Sequence, residues 1–270
     1  MEGGKEGHMD LQLKDKVIVV SGGAKGIGEG IVKALAREGA IPFIIGRNEM
    51  DNLKTVAEVE VAGGRAFQVA AELAEPAECE RAIATVLKKL GRIDGLVNNA
   101  GLNDGVGLES GNYAEFIASL HKSLVHYYLL AHYSLPALIK SKGSIVNISS
   151  KTSETGQGNT SGYAASNGGR NALTREWAVE LLKYGIRVNS VVVSECWTPQ
   201  YEKWITTLPD PEGALKSIVA NIPLENRMTT AEEIADTTAF LLSVRSSHTT
   251  GQLIHVDGGY VHLDRALANA

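Results

Sequence analysis

The octapeptide Ser21-Gly22-Gly23-Ala24-Lys25-Gly26-Ile27-Gly28 is the first segment whose residue types and spacing suit a definite chemistry. A short apolar run precedes it and an amphipathic stretch of helical length follows, which is the setting in which a glycine-rich loop cradles phosphate. Glycines permit a tight turn and close approach of backbone to a pyrophosphate, while the start of the helix supplies N–H groups and the positive end of a dipole. Ser21, Gly22, Lys25, Gly26, Ile27 and Gly28 are therefore candidate dinucleotide-binding residues; without its flanks the same cluster would be only a turn. The second apolar run ends Ile45-Gly46-Arg47-Asn48. An acidic residue there would bond a ribose diol and a basic one a 2′-phosphate. Arg47, helped by Lys25, thus favours NADP over NAD as cofactor, the alternative being an arginine on a surface turn. Glu72, after the third run, is either an acceptor for the adenine amino group or a solvated loop residue.

These residues require a scaffold that delivers strand ends to helix starts. Runs rich in Val and Ile alternate with amphipathic stretches, the signature of repeated βαβ units. Strands are expected at Lys16–Val20, Ile41–Ile45, Arg65–Ala70, Gly95–Asn98, Ser144–Ser149, Arg187–Val193 and Leu253–Val256. Helices are expected at Gly26–Glu38, Met50–Ala62, Pro76–Leu90, Tyr113–Ile139, Tyr163–Leu182 and Ala231–Leu242. Several strands are apolar at successive positions, as in a parallel sheet covered on both faces. The expected fold class is α/β: a Rossmann-like, doubly wound, seven-stranded parallel sheet with helices on both faces, forming a single domain over residues 11–270. Residues 1–10 read as a disordered extension or tag. The strandless stretch of about residues 198–228, with Pro199, Pro209, Pro211 and Pro223 among aromatics, reads as a lid over a substrate.

Composition narrows the partners. The chain of 270 residues is 44% hydrophobic and 21% charged, ordinary for a globular protein with a large core. A formal net charge of -5 argues against a nucleic-acid or anionic-membrane surface and leaves small molecules. Cys79 and Cys196 are far apart and lack ligand spacing, so neither a disulfide framework nor a metal site is expected, and the compartment reads as reducing and cytoplasmic. No run approaches the length of a membrane span, and the amino end lacks the apolar core of a signal peptide.

The order of motifs from Leu11 onward resembles the short-chain dehydrogenase/reductase family: the glycine loop, then Asn98-Asn99-Ala100-Gly101, then Ser150 in Asn147-Ile148-Ser149-Ser150 and Tyr163 thirteen residues on. The resemblance implies that Asn99, Ala100 and Gly101 pack against the cofactor, that Ser150 holds the substrate oxygen, and that Tyr163 exchanges the hydroxyl proton. Hydride transfer between an alcohol carbon and nicotinamide needs such a base and such a donor. Taken singly, Ser150 reads as a strand-end turn residue and Tyr163 as a helix-start aromatic. The sequence departs from the family at two catalytic positions. Where a lysine is usual four residues after the tyrosine stands Asn167, which offers a ribose hydrogen bond but no charge, so proton abstraction is expected to suffer. Where an asparagine is usual in the helix after the fourth strand stands Ser123. Lys151, His126 and Arg170 are other groups that could compensate, each read more simply as solvated or packed. The usual Pro-Gly after the sixth strand is absent, but Thr198, the family's carboxamide contact, is retained.

Within the family, Ser150 through Tyr163, Thr174-Arg175-Glu176-Trp177-Ala178 and Val256 through Arg265 resemble bacterial L-fucose dehydrogenases. Glu154, Gln157, Asn159, Glu195 and Trp204 would give a polyhydroxylated ring hydrogen bonds and an aromatic face, or else are surface-loop residues. The expected activity is oxidation of an aldose such as L-fucose to its lactone with NADP or NAD. The alternatives are a dinucleotide-binding protein with little redox activity and a reductase of another alcohol or ketone. By analogy with the family, a homotetramer through the helices of Tyr113–Ile139 and Tyr163–Leu182 is expected.

Overall fold

The strand Val17–Ser21 (β1) is apolar at successive positions because it is covered twice: Val17 and Val19 enter one core, Ile18 and Val20 the other. The same holds across the sheet of the computed structural model, which describes residues 9–264. The strands Ile41–Gly46 (β2), Phe67–Ala70 (β3), Gly95–Asn98 (β4), Ser144–Ser150 (β5), Arg187–Val193 (β6) and Leu253–Val256 (β7) join β1 in one parallel sheet of order β3-β2-β1-β4-β5-β6-β7. This is the seven-stranded, single-domain α/β architecture anticipated. The tag expected at residues 1–10 lies, as far as His8, outside the described residues.

The helices Gly26–Arg37 (α1) and Glu49–Val61 (α2) cover one face through Ile31, Leu35 and Val59. The helix Pro76–Leu90 (α3) covers the other through Ile83 and Val86. Pro76 opens α3 where its missing N–H costs nothing, and Gly91, in the left-handed region at φ 70°, stops it. The stretch expected as one helix from Tyr113 to Ile139 is broken. Tyr113–Leu120 (α4) and His126–Ser141 (α5) flank a π turn at His121–Val125. One extra residue in a turn widens it and re-aims its carbonyls, and hydrophobic periodicity barely registers the insertion. Ser123, at the centre of that turn, is buried; its hydroxyl donates to the Leu102 carbonyl at 3.1 Å and accepts from the Leu102 N–H at 3.3 Å. The π turn is thereby fastened to the chain leaving β4.

Ser161–Glu180 (α6) packs Trp177 and Ala178 on the α3 face, and Ala231–Leu242 (α9) packs Ile234 and Leu241 on the α1 face. Thr230 and Glu233 cap α9 reciprocally, and Arg227, paired with the Glu233 carboxylate, holds its pKa down to about 2. The third strand begins at Phe67, two residues later than expected, and the Arg65 side chain before it pairs with Asp15 at the surface. The segment of residues 198–228 contains two short helices, Pro199–Ile205 (α7) and Pro211–Val219 (α8).

Two consequences are measurable. A Cβ at Gly28 would lie 2.1 Å from the Gly22 carbonyl oxygen and 2.6 Å from Asn99 Nδ2, so the loop closes on α1 only with glycine there. Gly28→Ala is expected to cost about 1–3 kcal/mol in a urea titration, and an unchanged midpoint would refute this account. His126 is fully buried, with Nε2 3.1 Å from the Ala100 carbonyl and Nδ1 3.2 Å from that of His121. Burial, and then the charge of Arg170, push its pKa down to about 4. The unfolded chain then binds a proton that the fold refuses, so this contribution is complete above about pH 6.5 and is lost as pH falls toward 4. His126→Gln should flatten the acid-side slope of unfolding free energy by up to about 3 kcal/mol in total; equal slopes in both proteins would dismiss the role.

Candidate active site

The strand order reverses at β1, which pairs with β2 on one side and β4 on the other, and a crevice opens beyond the carboxyl ends of the strands. Ser21 ends β1 there. Its hydroxyl oxygen accepts from the Asn99 N–H at 2.9 Å and the Ala100 N–H at 3.1 Å. Asn99 Nδ2 donates back to the carbonyls of Ser21 at 3.0 Å and Gly22 at 3.2 Å. The glycine loop and the Asn99-Ala100-Gly101 segment are thus one rigid unit. Gly22 and Gly26 lie in the left-handed region, at φ 66° and 55°, and a Cβ on Gly26 would lie 3.2 Å from the side chain of Thr198. Thr198 also accepts the Tyr201 N–H at 3.2 Å as the cap of α7. Loop, Asn99, Ala100 and Thr198 meet; the loop's helix start Ile27 is half-buried.

The other expected cofactor residues lie at the rim. Arg47 is exposed at the end of β2. Lys25, expected to assist Arg47, instead pairs with Asp51 of α2 at 2.7 Å. Glu72 accepts the Ala74 N–H at 3.3 Å and so shapes the turn into α3.

At the end of β5, Ser150 accepts the Thr152 N–H at 3.3 Å and starts a short 3₁₀ turn, Lys151–Ser153. Tyr163 stands in the first turn of α6, and Asn167 follows one turn later on the same face. Asn167 Nδ2 donates to the Tyr163 carbonyl at 2.9 Å and to Thr152 Oγ1 at 3.3 Å, tying the helix of Tyr163 to the turn after Ser150. One further turn along, Arg170 is buried. Its Nη1 donates to Asn167 Oδ1 at 2.9 Å and to the Ile148 carbonyl at 3.2 Å. Its Nε donates to the Ser123 carbonyl at 2.8 Å, as does Nη2, and the guanidinium carbon lies 4.3 Å from the centre of the Tyr127 ring. The sequence reading takes Arg170 as a group that could compensate for the missing lysine but more simply as a solvated or packed residue; its spacing of seven from Tyr163 places it on the same helical face.

Beside this cluster lies a polar cleft of about 440 Å³ whose lining includes Lys151, Gln157 and Tyr260. Lys151 pairs with Glu195 and lies over the Tyr260 ring at 4.1 Å. Tyr201 donates its hydroxyl to the second Glu195 oxygen at 2.8 Å, and Trp204 packs edge-on against Tyr201 at 5.1 Å. Burial and the neighbouring Glu195 carboxylate push the Tyr201 phenol pKa up. Glu154 faces His255 at 3.1 Å. Of the expected substrate residues, Glu195 and Trp204 join through Tyr201, Gln157 lines the cleft, and Glu154 precedes the lining residue Thr155. Asn159, at φ 54°, instead packs its backbone on Gly107, 3.0 Å from where a Cβ there would lie. Tyr260 in the cleft lining and Tyr201 beside Glu195 are residues that sequence reasoning passed over, and Lys151, considered there only as a compensating cation, joins them; the three come from separate segments.

A family model described as enoyl-(acyl carrier protein) reductase matches residues 22–261. The 3-oxoacyl-[acyl-carrier-protein] reductase FabG of Thermotoga maritima is 35% identical over 93% of this chain and 100% of its own length. The L-fucose dehydrogenase of Bos taurus is 31% identical over 93% of this chain and 91% of its own. Among solved structures, that of the Cj0485 dehydrogenase is 44% identical, covers 96% of this chain and 99% of its own, and superposes with a TM-score of 0.90. With that shared sheet, glycine loop and whole-length similarity, this chain belongs to the short-chain dehydrogenase/reductase family of oxidoreductases.

Proposed function

We propose that the chain is a sugar dehydrogenase that oxidises the anomeric carbon of L-fucose or a similar aldose to the lactone, with NADP preferred over NAD. The observation that carries the substrate class is the Lys151–Glu195–Tyr201 cluster beside the Ser150 turn. A wall of half-buried polar groups suits a ring of hydroxyls better than an acyl chain, which would take those groups out of water without offering them any bond in return. The similarity to L-fucose dehydrogenase points the same way.

The cradle fits a dinucleotide: positions 22, 26 and 28 leave backbone bare where a Cβ would crowd the loop, at the start of α1. Ser21, Gly22, Lys25, Gly26, Ile27 and Gly28 would hold the pyrophosphate side, Arg47 a 2′-phosphate, Glu72 the adenine, and Asn99, Ala100, Gly101 and Thr198 the nicotinamide side. Bound there, NAD(P) supplies the acceptor for the hydride leaving the sugar carbon. Ser150 donates to the reacting oxygen and Tyr163 takes its proton. Asn167 is fully buried with its amide hydrogens on the Tyr163 carbonyl and Thr152, so in place of the ribose contact expected of it, it links Tyr163 to a cation that it lacks itself. That cation is Arg170, a positioning residue bonded to the Asn167 amide oxygen. Ser123 contributes its carbonyl to Arg170 rather than its side chain to the substrate. The segment of residues 198–228 closes over the sugar, with Glu195 and Trp204 at its near side and Glu154 and Gln157 across the opening; Asn159, packed on Gly107, has no part in it. A cytoplasmic homotetramer is part of the same proposal, by analogy with the family.

The test is nicotinamide reduction with L-fucose, NADP and NAD in parallel. Turnover is expected with both, better with NADP, and Arg47→Asp should reverse the order. Tyr163→Phe should lower kcat by about 10²–10⁴-fold. Cofactor binding without turnover of any aldose would replace this reading with that of a non-redox binding protein. Asn167→Lys alone puts a second buried cation against Arg170 and should slow turnover. Adding Arg170→Leu should recover at least part of the rate and shift the alkaline limb of the pH profile; a single variant faster than the parent would contradict the role given to Arg170.

A further inference from the structure

We propose that Glu154, His255 and His262 form a binding site for a divalent cation of the zinc class at one end of the polar cleft. The donor atoms of the three side chains all lie within 4.8 Å of one another. They come from three separate places: the residue after the 3₁₀ turn that follows β5, the strand β7, and the segment beyond β7. Such convergence needs a built turn, and one is present. Gly258 and Gly259 adopt φ 61° and 83°, while the Asp257 carboxylate accepts the N–H groups of Gly259 at 2.8 Å and Val261 at 2.9 Å. The chain reverses at once and lays the His262 ring edge-on against His255, with centres 4.3 Å apart and planes at 88°.

Hydrogen bonding accounts for only half of this arrangement. His255 Nε2 is 3.1 Å from one Glu154 oxygen, an ordinary contact. His262 Nε2 faces the other oxygen at 4.0 Å, beyond hydrogen-bond reach. In a tetrahedral site with bonds of about 2.0–2.1 Å the ligand atoms stand roughly 3.4 Å apart, a value the two observed separations bracket. Two imidazole nitrogens and one carboxylate form a known zinc ligand set that leaves a coordination position open. Copper, nickel and cobalt ions compete for such donors in the usual affinity order. Nor is the carboxylate committed elsewhere: among the described residues Glu154 makes no ion pair with a lysine or arginine, and neighbouring Lys151 is neutralised by Glu195. Thr155, Gly156 and Gln157, which follow Glu154, and Val261 and Leu263, which flank His262, line the cleft, so the three ligands sit beside it.

The test does not depend on turnover. Full-length protein freed of metal by chelator and dialysis is titrated with zinc chloride, and bound metal is counted by elemental analysis. About one ion per chain is expected, with a rise in the thermal midpoint as zinc is added. Cobalt chloride should give the ligand-field bands of a tetrahedral site. Glu154→Gln, His255→Ala and His262→Ala should each weaken binding at least tenfold, whereas His132→Ala, at an exposed histidine of α5, should leave it unchanged. Circular dichroism of the variants separates loss of ligand from loss of fold. No binding below millimolar zinc, or binding indifferent to the three substitutions, overturns the proposal. Metal binding and turnover are read separately; because Glu154 is also placed at the sugar opening, His255→Ala and His262→Ala are the variants that distinguish a lost cation site from a lost sugar contact.

Discussion

A buried guanidinium must be held by whatever oxygens surround it, and Arg170 has no carboxylate partner among the described residues. Its charge is met by neutral acceptors alone: the Ser123 carbonyl of the π turn, the Ile148 carbonyl of β5, and the Asn167 amide of α6. Removing an arginine from water is expensive, and only several good hydrogen bonds together offset it. Those bonds therefore fix the relative position of one strand and two helices. They also dictate a neighbour: a Cβ on Gly101 would lie 2.6 Å from Arg170 Nη2, so the segment leaving β4 stays bare where the guanidinium passes. His126, held neutral well into the acid range in part by this charge, completes the packing beneath Ala100.

The same constraint explains why the π turn exists. A regular helix through residues 121–125 would present its carbonyls along its own axis. The widened turn re-aims that of Ser123 toward α6, where Arg170 takes it through two donors. The hydroxyl of Ser123 is spent on Leu102. Asparagine is usual at this position in the family the sequence resembles; here the side chain anchors a loop while the backbone does the electrostatic work.

What was legible in the sequence follows from how local each signal is. α3 and α9 match their expected bounds to the residue because each carries its own start signal: Pro76 at the head of α3, the Thr230–Glu233 capping box before α9, with Gly91 ending α3. The glycine loop is legible for the same reason, since its flanks and spacing lie within one short segment. The π turn is not, because inserting one residue leaves an apolar pattern nearly intact. The polar cleft is legible only in pieces. Glu195 and Glu154 stand out as polar residues in loops, but the partners that give them meaning, Lys151, Tyr201, Tyr260 and His255, are assembled by the sheet from distant positions. Arg170 was visible as a charged residue at helical spacing from Tyr163; its burial, which makes the charge matter, is a tertiary fact.

Charge balance in the cleft bears on what it accepts. Lys151 and Glu195 cancel, and the Tyr201 phenol, its pKa raised by burial and then by Glu195, remains a neutral donor across the physiological range. The aromatic rings of Tyr260 and Trp204 supply faces rather than charges. The Lys151–Glu195 pair leaves no net charge of its own, while the Glu154 carboxylate beside the cleft faces His255 and His262. The cleft has a surplus of fixed donors and acceptors whose bonds are already mutual. A ligand entering such a cleft has to replace those contacts, and each half-buried polar group it leaves without a partner costs about 1–3 kcal/mol. Under the proposed sugar oxidation, discrimination would accumulate one hydroxyl at a time, with the chemistry proposed for the Ser150–Tyr163 side of the crevice.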